Sequence, residues 1–569
     1  MLRQLYEFAE QQQADLPPPM FENRRIRWII PLRADGTFLG TLEPTCGKGD
    51  SPFLGKQFWA PYEYRSSGSK PRLLADTAEF ALGVVPVGRD PQTTANRHAA
   101  FIEETIRCSA FTGNSNVKAV ERFLLSWDPR KWQLPKELSA THEVTFRVGQ
   151  IYPIQNQDVI LYWNLVSNTE HRGATHLVCT ICGQKTTGAK TRHFKIRSLS
   201  VGRASGLSLI SANVPAAESY GLSSSRGVPT CSHCEESICR ATNYLLANPQ
   251  SHIVCGSITY IFWAKKHCEF DLKSLLVQPD PSEIHILERC SLSGDSSVCN
   301  FDSTPFHVAG LTANSARVVV RDWIGTSVGE LKRNLSRSFQ LQQLVGSNGD
   351  PGKPIGFLRL ITGYDSASAN LILRALIRLA VAGGALPILP LCRAIQRSKI
   401  EKGVTRLRAA LIKMVILSNA SSLEEEQMVG LDPNNNQPGY VCGRLLAVLQ
   451  KIQWLALGNV NASILDRFFP SASVSPRMVF PRLLRLSQAH LRKVHEQRPA
   501  AYFALQHTLE QLTQELHEFP SVLSMLEQGL FALGYYHQRA FHRSCARGRL
   551  ADNQAPDHSH RGESEEADV

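Results

Sequence analysis

The 569-residue sequence contains no stretch of about 18 uncharged apolar residues, the length that a membrane-spanning helix requires. Its richest apolar run, residues 380–391, is shorter and is interrupted by two adjacent glycines and by prolines. The N-terminus lacks the basic and then apolar segments of a secretory signal. We therefore expect a cytoplasmic protein with no membrane partner. Its 14 cysteines are then expected to be thiols or metal ligands, because disulfides are rare in a reducing cytosol.

Familiar catalytic motifs are also absent. The sequence has no H-E-x-x-H zinc motif, no Walker A phosphate loop and no G-x-S-x-G nucleophile elbow. The segment from Pro229 to Cys234 is similar to one half of the zinc deaminase signature, but the H-x-E half is missing upstream. These absences favour a binding protein over an enzyme.

Acidic residues are scarce in the second half of the chain. Residues 371–550 carry 22 Lys and Arg against 11 Asp and Glu, and the whole chain has a net charge of +12. A basic excess of this size favours a polyanionic partner, with nucleic acid ahead of an acidic membrane. Residues 551–569 reverse the sign with six acids and one Arg, and we expect this tail to be disordered.

Hydrophobic patterning divides the chain into two kinds of structure. Residues 1–12 have helical spacing, and the segments 27–32 and 38–42 around Asp35-Gly36 predict a β-hairpin. Residues 143–370 alternate short β-like runs with Gly, Ser and Asn turns. From residue 369 onward the apolar residues fall at helical spacing, with stripes at Leu445, Val448, Ile452 and Leu455 and at Leu505, Leu509, Leu512 and Leu516.

This pattern predicts an α+β protein. We expect a mixed α/β region at residues 1–368, containing a zinc knuckle at about residues 176–240. A basic α-helical bundle follows at residues 369–550, and the acidic tail occupies residues 551–569.

The sharpest motif is a pair of CxxC sequences. Cys179 and Cys182 form one, and Cys231 and Cys234 form the other. Four thiolates presented as two tight-turn pairs are typical of a structural Zn²⁺ site. His233 or Cys239 could replace one ligand, and four unconnected thiols would have the same spacing.

Two small-polar loops are candidate DNA contacts. In the first, residues 65–72, Ser66, Ser67 and Gly68 would allow close backbone approach, and Arg65, Lys70 and Arg72 would attract phosphate. The second, residues 111–116, contains Asn114 and is weaker. An ordinary solvated loop would have a similar composition.

The predicted bundle contains a series of arginines with helical spacing. Arg374 and Arg378 are four residues apart, as are Arg393 and Arg397, and a later series contains Arg482, Arg485 and Arg492. A single such pair is most often a solvated face. Because few acids offset the series, it predicts a basic stripe that follows a phosphate backbone.

Several long strings, taken together, resemble one family. They include RSSGSKPRLLADTAEFALG at 65–83 and further strings at 27–30, 211–221, 241–246, 314–317, 443–453, 480–484 and 528–539. In this order they are similar to the large subunit of the type I-C CRISPR surveillance complex, called Cascade, over residues 1 to about 543. The two CxxC pairs are not a constant feature of that family, so the zinc prediction depends on their spacing alone.

The resemblance implies a prokaryotic, non-catalytic subunit of an RNA-guided interference complex, with residues 1–368 as its DNA-recognition region. Such a subunit recognises the protospacer-adjacent motif in double-stranded target DNA, helps open the duplex, holds the displaced single strand and helps recruit a helicase–nuclease. Its partners would be the crRNA-bearing backbone and 5′-handle subunits, and a small subunit made from an internal start, at Met428 or alternatively at Met414. Two other functions stay open at this stage: a zinc-dependent nuclease, and a general single-strand-binding scaffold.

Overall fold

The computed structural model describes most of the chain. The described residues are 1–46, 55–63, 65, 70–128, 131–168, 177–186, 194–197, 199, 206–211, 228–265, 271–292, 303–347, 349–350, 352–420 and 428–552. The chain divides into two compact units. Unit 1 comprises residues 1–249 with 310–321, and unit 2 comprises residues 250–309 with 322–569.

Unit 1 is built around a four-stranded mixed sheet. Its strands are β2 (Trp28–Leu32), β3 (Glu43–Pro44), β5 (Ala75–Thr77) and β6 (Glu143–Val148), in the order β3-β2-β6-β5. β2 and β6 are parallel, and the other pairings are antiparallel. Every residue of β2 is buried, as expected for an apolar central strand covered on both faces. β1 (Phe21–Ile26) and β4 (Lys56–Pro61) form a separate antiparallel pair.

Six α-helices lie within the described residues of unit 1. They are α1 (Leu2–Gln11), α2 (Ala78–Leu82), α3 (Pro91–Thr112), α4 (Ser115–Ser126), α5 (Gln157–Asn168) and α6 (Ser232–Ala247). α3 begins at the cap Asp90, whose side chain accepts hydrogen bonds from two backbone N–H groups, and Pro91 takes the first helical position. α4 packs on β2 and β6, and α1 packs on α6.

The predicted hairpin at residues 27–42 forms only in part. The turn is present, with the Arg33 N–H donating to the Thr37 carbonyl at 2.9 Å and Gly36 at a φ of +93°. The returning chain makes a single bridge, from Phe38 to Leu32, and residues 39–42 are not a strand. Pro31 has no N–H to donate to a returning strand, so the ladder stops there. The neighbours of β2 in the sheet are β3 and β6 instead.

A second sheet follows along the chain. It is antiparallel where its register is defined, with β9 (His252–Cys255), β10 (Ile258–Ala264), β11 (Pro305–Asn314) and β12 (Arg317–Ser327) in the order β12-β11-β10-β9. Residues 310–321, which include parts of β11 and β12, belong to unit 1, and the other residues of this sheet belong to unit 2. The described helices of unit 2 are α7 (Leu272–Val277), α8 (Pro281–Leu292), α9 (Val328–Gln342), α10 (Phe357–Leu360), α11 (Ser366–Ala382), α12 (Leu389–Ile400), α13 (Arg406–Ser418), α14 (Pro438–Leu457), α15 (Ile464–Ala472), α16 (Pro476–Gln497), α17 (Pro499–Gln514) and α18 (Met525–Asp552).

The core of unit 2 is centred on α14 and α18, which run side by side in the same direction. Glycines allow their backbones to touch. A Cβ at Gly443 would lie 2.0 Å from the Phe531 carbonyl oxygen, and one at Gly534 would lie 2.1 Å from the Tyr440 carbonyl oxygen. Three of the four residues in the first predicted stripe, and all four in the second, are buried. These contacts make the pair a rigid support for side chains on its outer surface.

The predicted fold class, mixed α/β followed by C-terminal helices, is confirmed. The helical run that begins with α11 starts close to the predicted change at residue 369, but α7, α8 and α9 precede it within unit 2. The domain boundary at 368/369 stays a prediction, and the predicted acidic tail lies almost entirely outside the described residues. Among the described residues, none of the helices combines the length and the apolar character that a membrane span requires.

Candidate metal centre and nucleic-acid surfaces

The first CxxC pair lies on a tight turn between two short strands. These are β7 (Leu177–Val178) and β8 (Lys185–Thr186), which pair antiparallel. The Cys179 N–H donates to the Gln184 carbonyl at 2.8 Å, and the Gly183 N–H donates to the Cys179 carbonyl at 2.9 Å. Gly183 has a φ of +75°, a conformation that favours glycine. The turn therefore places both thiols of the pair on the same side of the chain.

The second pair lies at the N-terminus of α6. Cys231 is the cap residue, and its Sγ accepts a hydrogen bond from the Cys234 N–H at 3.4 Å. The Thr180 N–H donates to the Pro229 carbonyl at 2.9 Å, which joins the two turns. The Cys231 N–H donates to Cys179 Sγ at 3.3 Å. The backbone thus holds the second pair against the first across 52 residues of sequence.

All four thiols meet in one cluster. Their Sγ atoms lie within 4.8 Å of one another, and Cys182 Sγ is 3.8 Å from Cys231 Sγ. A tetrahedral zinc with Zn–S bonds of about 2.3 Å has S–S edges of about 3.8 Å. Cys179 and Cys234 are buried, and the other two are partly exposed. The donor set and its spacing therefore fit a four-thiolate metal site.

Three of these thiols have shifted pKa values, and the shifts differ in direction. Burial would raise the pKa of Cys179, but backbone N–H groups of Cys182, Cys231 and Ile181 donate to its sulfur and lower the pKa to about 6. Burial raises the pKa of Cys231 to about 11 and also raises that of Cys234. A thiolate is thus favoured at Cys179 before any metal binds, and a divalent cation would favour deprotonation of Cys231 and Cys234.

Neither of the alternative ligands joins the cluster. The ring of His233 lies edge-on to Tyr6, with Nε2 3.4 Å from Glu10 Oε1. Cys239 is buried further along α6, outside the group of four. Zinc stays a prediction, because the cluster has the geometry of a metal site and does not identify an ion.

The loop at residues 65–72 is held at its base by an interior ion-pair cluster. The Arg65 Nε donates to the Lys70 carbonyl at 2.7 Å, which ties the two ends of the loop together. The Arg65 guanidinium also lies 3.9 Å from the Phe80 ring centroid and pairs with Asp76. Ser66, Ser67 and Gly68 lie outside the described residues. Lys70 is exposed.

Arg72, by contrast, is an interior residue. Its side chain is 4% exposed, and its Nη2 lies 2.8 Å from Asp76 Oδ1 and 2.9 Å from Glu143 Oε1. Asp76 is fully buried and also accepts the Arg72 backbone N–H at 2.9 Å. Arg24 extends the cluster by pairing with Glu143 at 2.8 Å. Arg72 is therefore placed to hold the loop base, and Lys70 is the exposed cation of the loop among the described residues.

These ion pairs shift the pKa values of Asp76 and Arg72. Burial would raise the pKa of Asp76, but the guanidiniums of Arg72 and Arg65 lower it. Burial would likewise lower the pKa of Arg72, but Asp76 and Glu143 raise it. Both groups are thus charged at neutral pH. No sequence pattern pointed to this cluster, because Arg72 and Glu143 are 71 residues apart.

The second predicted loop is a helix–helix connection. Gly113 ends α3 in the left-handed region, and Asn114 caps α4 by accepting the N–H groups of Asn116 and Val117 at 2.9 and 3.4 Å. Glycine and asparagine are the residues that such ends favour. Capping accounts for this small-polar composition, and a DNA contact by Asn114 stays a prediction.

Arg374 and Arg378 lie one turn apart on α11 and share a carboxylate. Their guanidiniums lie 2.8 Å from Asp322 Oδ2 and 3.2 Å from Asp322 Oδ1, respectively. The Tyr260 hydroxyl donates to the same carboxylate at 2.8 Å. Asp322 lies outside residues 371–550, so the charge balance of that segment did not indicate that an acid would pair with these two arginines.

Arg393 and Arg397 share a face of α12, as their spacing predicts. Arg393 is exposed and its Nη1 donates to Gln396 Oε1 at 3.1 Å. Arg397 Nε lies 2.6 Å from Glu401 Oε1, and Glu401 also pairs with Arg408. One cation of this pair is therefore compensated by an acid.

The later arginine series forms an exposed basic face on α16. Arg482, Arg485 and Arg492 are all exposed, whereas Phe480, Leu483, Leu491 and Val494 are buried on the opposite side. Arg485 and Arg492 lie two turns apart on one line. The structure gives none of these three arginines an ion pair with a described residue, and Glu496 is the single acid in the helix. This surface, named the α16 basic face, is the least compensated of the predicted cationic sites.

Comparison with known proteins agrees with the resemblance carried by the sequence strings. No curated protein sequence matches the chain significantly. The family model described as CRISPR-associated protein (Cas_Csd1) matches residues 2–542, which include both units apart from the last residues. The chain therefore belongs to the CRISPR-associated Csd1 family, the family of the type I-C large subunit.

Proposed function

We propose that this protein is the DNA-binding large subunit of an RNA-guided type I-C interference complex. The observation that carries the proposal is the family match over residues 2–542. In this role the chain recognises the protospacer-adjacent motif in double-stranded DNA, helps open the duplex and holds the displaced strand. Guide pairing reads the target sequence, and the protein reads the motif and the backbone, a division known for another CRISPR class.

The proposed partners follow from this role. They are the crRNA-bearing backbone and 5′-handle subunits, a small subunit, the target duplex, the displaced strand and a helicase–nuclease that cuts the DNA. The chain itself is proposed to be non-catalytic. Four thiolates would fill the tetrahedral coordination of a zinc ion and leave no position for an attacking water, so the metal site is proposed as structural.

The cysteine residues would act together to hold two distant segments. Cys179 and Cys182 present two sulfurs from the β7–β8 turn, and Cys231 and Cys234 present two from the start of α6. Zn²⁺ would supply coordination bonds that stabilise the fold and would take no part in catalysis. The residues between the two pairs would thereby be closed into a loop with fixed ends.

The loop at residues 65–72 is the proposed motif-proximal contact. Its base is rigid because Arg65 and Arg72 are bound to Asp76, so the two arginines act by positioning the loop. Lys70 is the residue proposed to contact the DNA phosphate. Ser66, Ser67 and Gly68 are proposed, from sequence, to let the backbone approach the groove.

The matched charge reversals Lys70→Glu and Lys136→Glu test the loop. Both lysines are exposed residues of unit 1. Within the assembled complex, Lys70→Glu is expected to weaken binding of a motif-containing duplex about tenfold, because one cationic contact becomes repulsive. Lys136→Glu is expected to change it less than about twofold. Equal effects of the two variants in a filter-binding assay would disprove a specific role for the loop.

A second test addresses the α16 basic face. The double variant Arg485→Glu with Arg492→Glu is expected to weaken single-strand binding and to reduce the magnitude of the slope of log K against log salt by about 1.4, at about 0.7 per lost phosphate contact. The control is Lys131→Glu with Lys136→Glu, which changes net charge equally in unit 1. If the control lowers the slope as much as the test pair, the effect is one of net charge and the face is not a binding surface.

The small subunit is proposed to start at Met428. Translation from Met428 would yield α14–α18 with each helix complete. A start at Met414 would begin inside α13, where Met414 is fully buried. Mass spectrometry of the assembled complex distinguishes the two by the N-terminal peptide, and replacing the internal start codon should remove the small subunit.

A further inference from the structure

Residues 194–197 form a short segment of unit 1 that no sequence motif marks, although it lies between the two CxxC pairs. The ring of Phe194 stacks on that of Tyr62, with centroids 5.0 Å apart and an interplanar angle of 25°. Tyr62 directly follows β4 and precedes Arg65 by three residues. The segment therefore packs on the chain where it enters the loop at residues 65–72.

The segment is held in place by Asn243 of α6. The Arg197 N–H donates to Asn243 Oδ1 at 2.8 Å, and Asn243 Nδ2 donates to the Lys195 carbonyl at 2.9 Å. Between these two residues, the N–H and carbonyl of Ile196 exchange hydrogen bonds with Leu207 at 2.7 and 2.8 Å. One side-chain amide thus fixes the backbone on both sides of Ile196, and the Arg197 side chain starts from a fixed point.

The Arg197 guanidinium pairs with Glu22 of β1. Its Nε lies 2.8 Å from Glu22 Oε2, and its Nη2 donates to Oε1 at 3.3 Å. A two-point contact of this kind fixes the orientation of both groups. Glu22 is 7% exposed, and burial of a carboxylate is costly unless the carboxylate is paired. Glu22 also accepts from Arg24 Nε at 2.6 Å, so two guanidiniums from different segments share it.

The pairing continues from Glu22 to the base of the loop. Arg24 Nη1 lies 2.8 Å from Glu143 Oε1. Arg72 Nη2 lies 2.9 Å from the same oxygen of Glu143 and 2.8 Å from Asp76 Oδ1. Guanidiniums and carboxylates therefore alternate in one ion-pair series, which runs in the order Arg197, Glu22, Arg24, Glu143, Arg72, Asp76 and Arg65.

Each carboxylate of the ion-pair series is held by two guanidiniums, so a loss at one end changes the balance at the next group. Without Arg197, Glu22 would depend on Arg24 within the series and would draw it away from Glu143. Glu143 would then depend on Arg72, whose guanidinium it shares with Asp76. The base of the loop would lose part of the support that fixes its position.

We propose that Arg197 is a positioning residue for the loop at residues 65–72, acting through the ion-pair series and through Phe194 packed on Tyr62. Lys70 stays the residue that contacts the DNA phosphate, and Arg197 acts on the DNA only through the loop. The proposal deepens the proposed function and rests on it for the ligand, which is the target duplex. The positioning itself follows from contacts within unit 1.

Hydrogen–deuterium exchange of the full chain tests the positioning without DNA. The N–H groups of Arg72 and Thr77 donate to the Asp76 carboxylate at 2.9 and 2.7 Å, so their protection reports the state of the loop base. Arg197→Ala is expected to speed exchange in the peptide that contains them about threefold. Arg25→Ala is the control, because Arg25 is exposed on the opposite face of β1. Equal exchange in Arg197→Ala and wild type would overturn the proposal.

Binding by the assembled complex supplies a second readout. Arg197→Ala is expected to weaken binding of a motif-containing duplex about threefold, a typical effect for residues coupled through shared partners. Arg197→Lys keeps a cation beside Glu22 and should restore most of the affinity, and Arg25→Ala should leave it unchanged. Single-strand binding by the α16 basic face should be the same in all three variants. An equal loss of single-strand binding by Arg197→Ala would mean a general loss of folding and would contradict the positioning role.

A double variant shows whether Arg197 acts through the loop. Lys70→Glu alone is expected to weaken duplex binding about tenfold. Adding Arg197→Ala should weaken it no further, because a loop that has lost its phosphate contact gains nothing from being held in position. Independent effects would multiply to about thirtyfold, and that result would show that Arg197 does not act through the loop.

These outcomes separate the proposal from the proposed function. If Arg197→Ala changes neither exchange nor duplex binding while the complex still requires the motif, the positioning role fails and the proposed function stands. If Arg197→Ala speeds exchange at the loop base but the complex binds duplexes without regard to the motif, the positioning role stands and the proposed function fails.

Discussion

Replacing Cys231 and Cys234 with serine is expected to reduce the zinc content from about one ion per chain to none. Serine hydroxyls do not ionise at neutral pH and are hard ligands, so two of four ligands would be lost. The β7–β8 turn would then be joined to α6 through backbone contacts such as that between Thr180 and Pro229. Elemental analysis of the purified chain measures the metal directly.

The same variant is expected to be less stable. Binding energy at a structural zinc site is folding energy, on the order of 10 kcal/mol in isolated zinc-finger peptides, so a shift of several degrees in the midpoint of thermal unfolding is expected. Cys392→Ser is the matched control, because Cys392 is a partly exposed free cysteine of α12. It should retain the zinc and the midpoint. A wild-type chain that contains no zinc, nickel, cobalt or iron would contradict the metal-site assignment.

The substitution Asp76→Asn is expected to destabilise the chain by about 3–5 kcal/mol at pH 7. Asp76 is fully buried and accepts hydrogen bonds from Arg72 and Arg65. Removing its charge leaves a buried guanidinium with less compensation, and breaking a buried ion pair costs that much in other proteins. The urea midpoint of the chain's unfolding measures the loss.

The pH dependence of this effect has a defined sign. The folded pKa of Asp76 is lower than its ordinary value of 3.8. The stabilisation that the Asp76 carboxylate gives to the folded chain is therefore present in full above the pKa of Asp76 in the unfolded chain. It is lost as the pH falls through the pKa of Asp76 in the folded chain. The stability difference between wild type and Asp76→Asn should be constant from pH 7 to about 5 and should shrink at lower pH. A difference that grows on acidification would contradict the ion-pair account.

Glu137→Gln is the control for Asp76→Asn. Glu137 is an exposed carboxylate of unit 1, so its loss should change the free energy of unfolding by less than about 0.5 kcal/mol. Asp76→Asn should also weaken motif-dependent DNA binding, because Arg65 and Arg72 would no longer hold the base of the loop that carries Lys70. Stable folding of Asp76→Asn with full DNA binding would remove the positioning role.

The four-cysteine cluster was predictable because its signal is local. Each CxxC pair is a contiguous turn, so the positions of the two pairs in the sequence were enough to name its four members. The helical stripes were predictable for the same reason, since Leu505, Leu509 and Leu512 are neighbours on one helix face and are buried together. Local sequence spacing directly reflects both kinds of geometry.

The partners of the arginines were not predictable from spacing. Arg374 and Arg378 pair with Asp322, more than 50 residues away, and Arg72 pairs with Glu143 across 71 residues. Composition gives the charge of a segment but not the carboxylates that folding brings to it. The hairpin was wrong in part because a strand's neighbours are also set by distant segments, and β6 took one side of β2.

The central claim is that this chain makes DNA binding by an RNA-guided complex depend on the adjacent motif. The most direct test is to tag the chain and to express it with its genomic neighbours. The account predicts that guide RNA and several subunits co-purify, and that the complex binds a matched duplex only when the adjacent motif is present. If the chain purifies alone and binds every single strand equally, it is a general single-strand-binding scaffold, and the proposed function is wrong.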